Sequence, residues 1–202
     1  MVAELGVQPW KGVFGQLDWR QDGERYEARL ALKVLFRTIR AQTSSGRIVA
    51  GALAADRFSE SRRQEQAAEL RRDDGRVDFS NGAPSAALQP GAQDRLSVVM
   101  QLGALLAADP ARHPPGSRIP MQVVGVKDAE DWTFEVLDDA TVTVPAGDFR
   151  ARHLIRTPRR PDDYRLDIWL APELGFLPVQ MRQTQRNGDV VDLLLRDVSA
   201  LQ

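Results

Sequence analysis

The sequence of 202 residues contains no cysteine. Disulfide bonds, thiolate catalysis, zinc–thiolate centres and iron–sulfur clusters are therefore excluded. No apolar run approaches the roughly 20 residues that a membrane-spanning helix needs, so we expect a protein that does not span a membrane. The first residues, MVAELGVQPWKGVFG, lack the basic and long apolar regions of a signal peptide.

An excess of charge of one sign is also missing. The chain has 27 Lys and Arg against 28 Asp and Glu, a formal net charge of -1. Binding to a phosphate backbone needs a surplus of basic side chains. We therefore expect no nucleic-acid partner.

Recognisable catalytic and metal-binding patterns are lacking as well. The histidines, His113 and His153, have no ligand-like spacing to other donors, and no Gly-x-Ser-x-Gly elbow occurs. The acidic pairs Asp73-Asp74, Asp138-Asp139 and Asp162-Asp163 fall at predicted turns, where Asp bonds local backbone. We expect no catalytic residue, no metal and no cofactor, and hence a non-enzymatic protein.

Alternating hydrophobicity predicts antiparallel strands over most of the chain. In YEARLALKVLF one face is apolar and Glu27, Arg29 and Lys33 occupy the other, which is the pattern of a half-buried strand. Ser44–Arg47 is predicted as a turn, and a pair of strands is predicted to turn at Asp73-Asp74-Gly75. The apolar face comprises Tyr26, Ala28, Leu30, Leu32, Val34 and Phe36.

One helix is predicted, over about residues 94–108, in DRLSVVMQLGALLAADP. Asp94 is a suitable N-cap, and Pro110 stops the helix. Its apolar residues surround most of the circumference, which is typical of a buried helix. From Arg118 onward strands and tight turns alternate, ending in a hairpin at Asn187-Gly188.

These patterns predict a single mainly β domain over residues 1–202: an antiparallel curved sheet or half-barrel, with one buried apolar α-helix on its concave side. Residues 1–22, with Trp10, Phe14 and Trp19, are predicted to form an N-terminal extension or a lid over the barrel mouth. Whether the helix leaves a cavity or fills it stays open at this point. The predicted cavity-lining residues are Tyr26, Leu30, Leu32, Leu102, Leu106, Ile168, Val179 and Met181.

The most basic stretch is FRARHLIRTPRRPDDYR. Arg150, Arg152 and Arg156 share one strand face by alternation, so they are candidates for contact with an anion or an acidic partner. The ordinary alternative is a solvated face with Asp and Glu partners on neighbouring strands. The balanced net charge favours that alternative.

The segments YEARLALKVLF, DRLSVVMQLGALLAADP, PPGSRIPMQVVG and DIWLAPELGFLPVQMRQTQRNGDVVDLLL, in this order along about residues 20–198, resemble the domain of unknown function 3108 family. The family is mostly proteobacterial and exported, and its fold is similar to the lipoprotein-carrier half-barrel. The resemblance implies a periplasmic or exported protein, and it transfers no catalytic residue.

These observations favour two functions over a third, an enzyme of unfamiliar type. The first is a non-enzymatic envelope protein that binds an apolar ligand, such as a lipid or a lipoprotein acyl chain, inside the curved sheet. The second is a structural module that binds an envelope protein through a sheet edge or the basic strip Arg150–Arg165.

Overall fold

The structure is a computed structural model, and it describes residues 1–35, 37–160 and 163–199. The described residues form one sheet of fifteen strands and one α-helix. The strands are β1 (Val2–Gln8), β2 (Val13–Gln21), β3 (Arg25–Val34), β4 (Arg37–Val49), β5 (Ala52–Ser61), β6 (Glu65–Arg71), β7 (Arg76–Phe79), β8 (Ala86–Ala87), β9 (Gln93–Asp94), β10 (Arg118–Val124), β11 (Ala129–Val144), β12 (Gly147–Arg156), β13 (Arg165–Ala171), β14 (Leu177–Thr184) and β15 (Val190–Ser199), and the helix is α1 (Ser97–Ala108).

Nearly every strand pairs with its neighbour in the chain. The order in the sheet is β8-β7-β6-β5-β4-β3-β2-β1-β15-β14-β13-β12-β11-β10-β9. The chain therefore builds one wing from β1 out to β8, crosses to β9, and returns through the second wing to β15. The first and last strands meet in the middle, where Val2 pairs with Ser199. All ladders are antiparallel except that of β9 and β10.

The sheet curves strongly but does not close. Its outermost strands, β8 and β9, are two residues long. Side-chain amides bridge the gap between them: Gln122 accepts from the Gln89 N–H at 2.9 Å and donates to the Ala87 carbonyl at 3.0 Å. The prediction of a mainly β, curved antiparallel sheet with one helix is confirmed.

Helix α1 lies inside this curve and contacts β5 and β14, one strand from each wing. It begins at Ser97, and the Asp94 carboxylate accepts hydrogen bonds from the Leu96 and Ser97 N–H groups at 2.8 Å. Gly103 has no room for a side chain, because an added Cβ would lie 2.6 Å from the Phe176 carbonyl oxygen. No helix among the described residues is long and apolar enough to cross a lipid bilayer.

Three local predictions were wrong. Residues 1–22 do not form a lid, because Val2–Gln8 and Val13–Gln21 are strands within the sheet. Ser44–Arg47 is not a turn but the middle of β4, and the chain reverses at Ala50-Gly51, where both residues have positive φ. Asp138-Asp139 is a bulge within β11 rather than a turn.

The predicted turn at Asp73-Asp74-Gly75 is confirmed by the hairpin of β6 and β7. The predicted facing of Phe36 and the turn role of Asp162 lie outside the described residues.

Candidate functional site

The interior of the curved sheet is filled at one end of α1 and open at the other. The open part, which we name the inner cleft, has a volume of about 260 Å³. It lies between the start of α1 and the facing strands of both wings. Its lining comprises Trp10, Leu30, Leu32, Arg40, Gln42, Glu60, Arg95, Leu96, Val99, Trp132, Tyr164, Leu166, Met181, Gln183, Gln185, Val191 and Leu193.

Aliphatic side chains form the two long walls of the inner cleft. Leu30 and Leu32 come from one face of β3, two residues apart. Met181 and Leu193 pair across β14 and β15 on the opposite wall. These positions follow from strand alternation, since residues two apart share a face. An apolar lining of this kind binds hydrocarbon by removing it from water.

A small polar cluster stands on the β4 and β5 side of the inner cleft. The Gln42 amide donates to Glu60 Oε1 at 2.5 Å, and Arg40 Nη2 lies 3.3 Å from the same oxygen. Across the cleft, Arg95 Nη2 lies 2.9 Å from Asp128 Oδ1. The Nε atoms of Arg40 and Arg95 are buried, and neither has a hydrogen-bond partner in the part of the chain that the structure describes.

The charge of Arg95 is secured by its surroundings. Burial alone would lower the pKa of Arg95, but the nearby acidic groups of Tyr164, Asp128 and Glu60 hold that pKa above its usual value. The inner cleft therefore combines hydrocarbon walls with fixed cationic donors. Such donors interact with a carboxylate or phosphate oxygen.

Aromatic side chains make the remaining wall rigid. Arg156 packs against two rings that contact each other edge to face, with its Cζ atom 4.2 Å from the Trp132 centroid and 5.0 Å from the Tyr164 centroid. Its Nη1 atom donates to Asp163 at 2.7 Å and to the Tyr164 carbonyl at 2.7 Å. These bonds hold the guanidinium against both rings.

Only some of the predicted cavity residues reach the inner cleft. Leu30, Leu32 and Met181 line it. Leu102 and Leu106 are buried with Ile168 in solid core, and Val179 is buried with Leu96 in a neighbouring cluster. The helix therefore fills the sheet at its C-terminal end and leaves space at its N-terminal end.

Tyr26, also predicted to line the cavity, belongs instead to a buried polar chain. The Tyr26 hydroxyl lies 3.0 Å from Ser44 Oγ. The Ser44 hydroxyl in turn donates to Asp94 Oδ2 at 2.5 Å. Burial raises the pKa of Asp94, although its hydrogen bonds oppose the shift. These hydrogen bonds join β3 and β4 to the start of α1. Tyr26 therefore stabilises the fold and does not line the inner cleft.

The three arginines of the predicted basic strip differ in their surroundings. The Arg150 side chain is 76% exposed and pairs loosely with Asp139. Arg152 pairs with the same Asp139 carboxylate, which lies opposite Arg152 in the ladder of β11 and β12. Arg156 has a side chain only 1% exposed. Arg156 is thus not available for contact with an external anion, because its hydrogen bonds are made to Asp163 and Tyr164. The expected cross-strand acidic partner is present for the first two.

A second polar network lies on the other face of β13. His153 Nε2 lies 2.8 Å from Asp167 Oδ1, and the His153 ring stacks on Trp169 at 4.3 Å. Burial opposes ionisation of Asp167, but hydrogen bonds from His153 and Arg165 outweigh it and hold the pKa of Asp167 at about 2. Trp169, on this face of β13, is buried.

A larger and more open depression, about 510 Å³ in volume, lies at the opposite end of the sheet. Charged side chains dominate it, among them Arg20, Asp22, Arg25 and Asp56. Among the described residues no group of three His, Asp or Glu side chains is placed to hold a metal ion. We therefore regard the inner cleft as the candidate site.

Sequence analysis missed the polar side of the inner cleft. Arg40 and Gln42 pair across the ladder with Leu32 and Leu30, so they share the inner face of the sheet. The signal was present as alternation in RTIRAQTSS, where Arg40, Gln42 and Ser44 stand two residues apart. Placing a turn at Ser44 concealed it.

Fold and site define a class of curved, unclosed β-sheet proteins with a helix and a cleft on the concave side. A family model described as "Protein of unknown function (DUF3108)" matches residues 13–195, and the chain belongs to this family. In the solved structures, a beta-barrel-like protein of domain of unknown function DUF1849 from Brucella abortus has a similar fold.

The DUF1849 protein superposes with a TM-score of 0.58 at 13% identity, covering 96% of this chain and 94% of its own. A candidate exported protein with a YmcC-like fold from Bacteroides fragilis gives a TM-score of 0.43 at 14% identity, covering 98% and 95%. No curated protein matches the sequence. The first likeness shows the barrel-like fold.

Proposed function

We propose that the protein is a non-enzymatic binding protein that holds one apolar-tailed molecule in the inner cleft. The observation that carries this proposal is the combination of aliphatic walls with two partly exposed guanidinium groups, those of Arg40 and Arg95, that line the same cleft. A hydrocarbon tail would lie between β3 and β14–β15. An acidic head group would meet the arginines, because a carboxylate or phosphate accepts the hydrogen bonds that those groups offer.

The volume limits the size of the ligand. Ligand pockets commonly enclose about 300–1,000 Å³, and the inner cleft, at about 260 Å³, is smaller than this range. It suits a single acyl chain with a compact head group. A lipoprotein with several acyl chains would not enter without opening of the sheet.

The structural alternative, binding of a partner through a sheet edge, has less support. Augmentation needs an exposed strand with free backbone groups. The edge strands β8 and β9 have two residues each, and Gln122 already occupies the backbone groups of Gln89 and Ala87. The basic strip is also engaged, since Arg152 and Arg156 have acidic partners within the chain.

A binding titration tests the proposal with dansyl-labelled undecanoic acid as probe. We expect saturable fluorescence enhancement with one site per chain. Leu32→Trp should abolish it by filling the cleft. Val49→Trp is the matched control, since it adds the same side chain at an exposed hairpin away from the cleft. Unchanged titration by the Leu32 variant would contradict the proposal.

The role of the arginines is tested by comparing acids with alcohols. Decanoic acid should displace the probe more strongly than decanol, and Arg40→Met should remove this difference while preserving decanol binding. Organic extraction of the purified protein followed by mass spectrometry then identifies a natural ligand. If acid and alcohol compete equally in the wild type, the head-group assignment is wrong.

Placement outside the cytoplasm is part of this proposal. The absence of cysteine suits an oxidising compartment, and an envelope location would give the protein access to lipids. Fractionation of cells that produce the full gene product should release the protein with periplasmic markers. Retention with cytosolic markers would overturn this part alone.

A further inference from the structure

Antiparallel order sorts the turns of this protein onto two rims. Chain reversals alternate between the ends of the strands, so one rim holds the β1–β2, β3–β4, β5–β6, β7–β8, β10–β11, β12–β13 and β14–β15 connections. We name it the mouth rim, because Trp10 and Gln185 from its turns border the inner cleft. The far rim carries the β2–β3, β4–β5, β6–β7, β11–β12 and β13–β14 connections.

The two rims differ in charge although the whole chain is nearly neutral. Exposed basic side chains gather in or beside the turns of the mouth rim: Lys11, Arg37, Arg62, Arg63, Lys127 and Arg186. Of the acidic groups in these turns, Asp128 and Asp163 are paired with Arg95 and Arg156, and Asp189 is hydrogen-bonded to Asn187. The far rim carries exposed side chains of both signs, the acids Asp22, Glu24, Asp73, Asp74, Asp148 and Glu173 together with arginines that include Arg20, Arg25, Arg71 and Arg76.

Exposed large apolar side chains follow the same division. Among the described residues six are exposed, and five of these lie at or beside the mouth rim: Trp10, Phe14, Val34, Leu35 and Ile39. The sixth, Val49, lies at the far rim. Leu35 is 80% exposed and has a φ of 54°, a left-handed conformation that Gly or Asn adopts at less cost. A leucine here gains nothing from burial within the chain.

We propose that the mouth rim docks onto the surface of an anionic phospholipid bilayer. Its basic side chains would meet lipid phosphates, and Trp10 and Leu35 would enter the interfacial layer, where Trp is favoured and apolar side chains gain burial. The apolar groups are spread among cations over several hairpin tips. That distribution suits an extended surface offering both phosphate and hydrocarbon better than the compact contact of an acidic protein.

Docking of this kind is separable from ligand binding, since apart from Trp10, which also lines the cleft, it uses turn residues rather than the cleft walls. It would place the opening of the inner cleft against the membrane. It would also turn the far rim, which carries both signs of charge, away from the bilayer.

Vesicle flotation tests the proposal. The full chain is mixed with vesicles of phosphatidylcholine alone or of an equimolar mixture with phosphatidylglycerol. We expect flotation with the anionic vesicles and its loss at high salt, because screening weakens exposed charges. Lys11→Glu combined with Arg186→Glu should reduce binding by about tenfold or more, and Leu35→Asn should reduce it severalfold.

Matched controls lie on the far rim. Arg20→Glu combined with Arg25→Glu makes the same charge change there, and Val49→Asn makes the same apolar-to-polar change. Both should float like the wild type. Equal losses in the mouth-rim and far-rim variants, or no flotation of the wild type, would overturn the proposal. Salt-sensitive retention on a polyaspartate matrix without vesicle binding would instead assign the rim to an acidic protein.

The same variants separate this inference from the function proposed above. Leu32→Trp should lose the dansyl probe yet float normally. The Lys11 and Arg186 double variant should keep the probe yet fail to float.

Discussion

The two ends of helix α1 differ in what surrounds them. Around Leu102 and Leu106 the interior is solid, and both side chains are completely buried. Around Leu96 and Val99 the same helix borders an open volume of about 260 Å³. One continuous apolar pattern thus serves as core at one end and as the wall of a cleft at the other. The distinction depends on which strands face the helix, not on its own residues.

The largest expected difference in the free energy of unfolding comes from placing a charge in the solid core and, for comparison, in the wall of the cleft. Leu102→Asp should abolish cooperative folding, with a cost above about 4 kcal/mol, because the carboxylate would be buried without a partner. Leu32→Asp, in the wall of the cleft, should cost only about 1–2 kcal/mol because water reaches it. Thermal and urea unfolding measure both. Equal costs would mean that the cleft is as tightly packed as the core.

A second, smaller effect tests the boundary between the two ends, where Arg156 packs against Trp132 and Tyr164. Arg156→Ala should cost about 3–5 kcal/mol, because it leaves the Asp163 carboxylate poorly compensated in a buried site. Arg150→Ala is the matched control on the same strand. With a side chain 76% exposed, Arg150 should contribute less than about 0.5 kcal/mol.

Urea unfolding checks both arginine variants, and the Trp132 fluorescence should change with Arg156→Ala alone. Similar stabilities for the two variants would show that Arg156 is not enclosed. In that case Arg156 would again be a candidate for contact with an anion.

The smallest effect concerns stability in acid. It tests the outer face of β13, the strand whose inner face packs in the core. Asp167 has a folded pKa of about 2, below its ordinary value of 3.8. Its stabilisation is therefore fully present above the unfolded pKa and is lost as the pH falls towards about 2. The loss amounts to about 2 kcal/mol.

Urea unfolding of the wild type and of Asp167→Asn between about pH 5 and pH 2 measures this contribution. The difference between the two proteins should shrink across that window. A constant difference would show that Asp167 keeps an unshifted pKa. Because the comparison is between variants, other titrating groups cancel to first order.

Alternation in the sequence predicted the strands well where one face is dry. Tyr26, Ala28, Leu30 and Leu32 share the inner face as expected, and the fold class is confirmed. The N-terminal strands carried the same signal, since Ala3, Leu5 and Val7 alternate and are buried. The aromatic residues Trp10, Phe14 and Trp19 suggest a lid, yet Phe14 and Trp19 belong to β2.

Other features depend on distant parts of the chain and were beyond prediction. Gly46 resembles a turn residue, yet it is needed because an added Cβ would lie 2.2 Å from the Ala54 carbonyl oxygen at a bulge. Arg156 is buried only because Trp132 arrives from another strand. The cleft itself is a volume left between side chains, and hydrophobic periodicity does not encode volumes.

The pairing of the first strand with the last has a consequence for how the molecule forms. Each wing is a ladder of hairpins between neighbours in the chain, which bring together residues that are close in sequence. The pairing of Val2 with Ser199 closes a loop of almost the whole polypeptide, and such closure carries the greater entropic cost. We expect refolding to assemble the wings separately and to join them last at β1 and β15, so that the cleft, which both wings enclose, exists only once this seam is made.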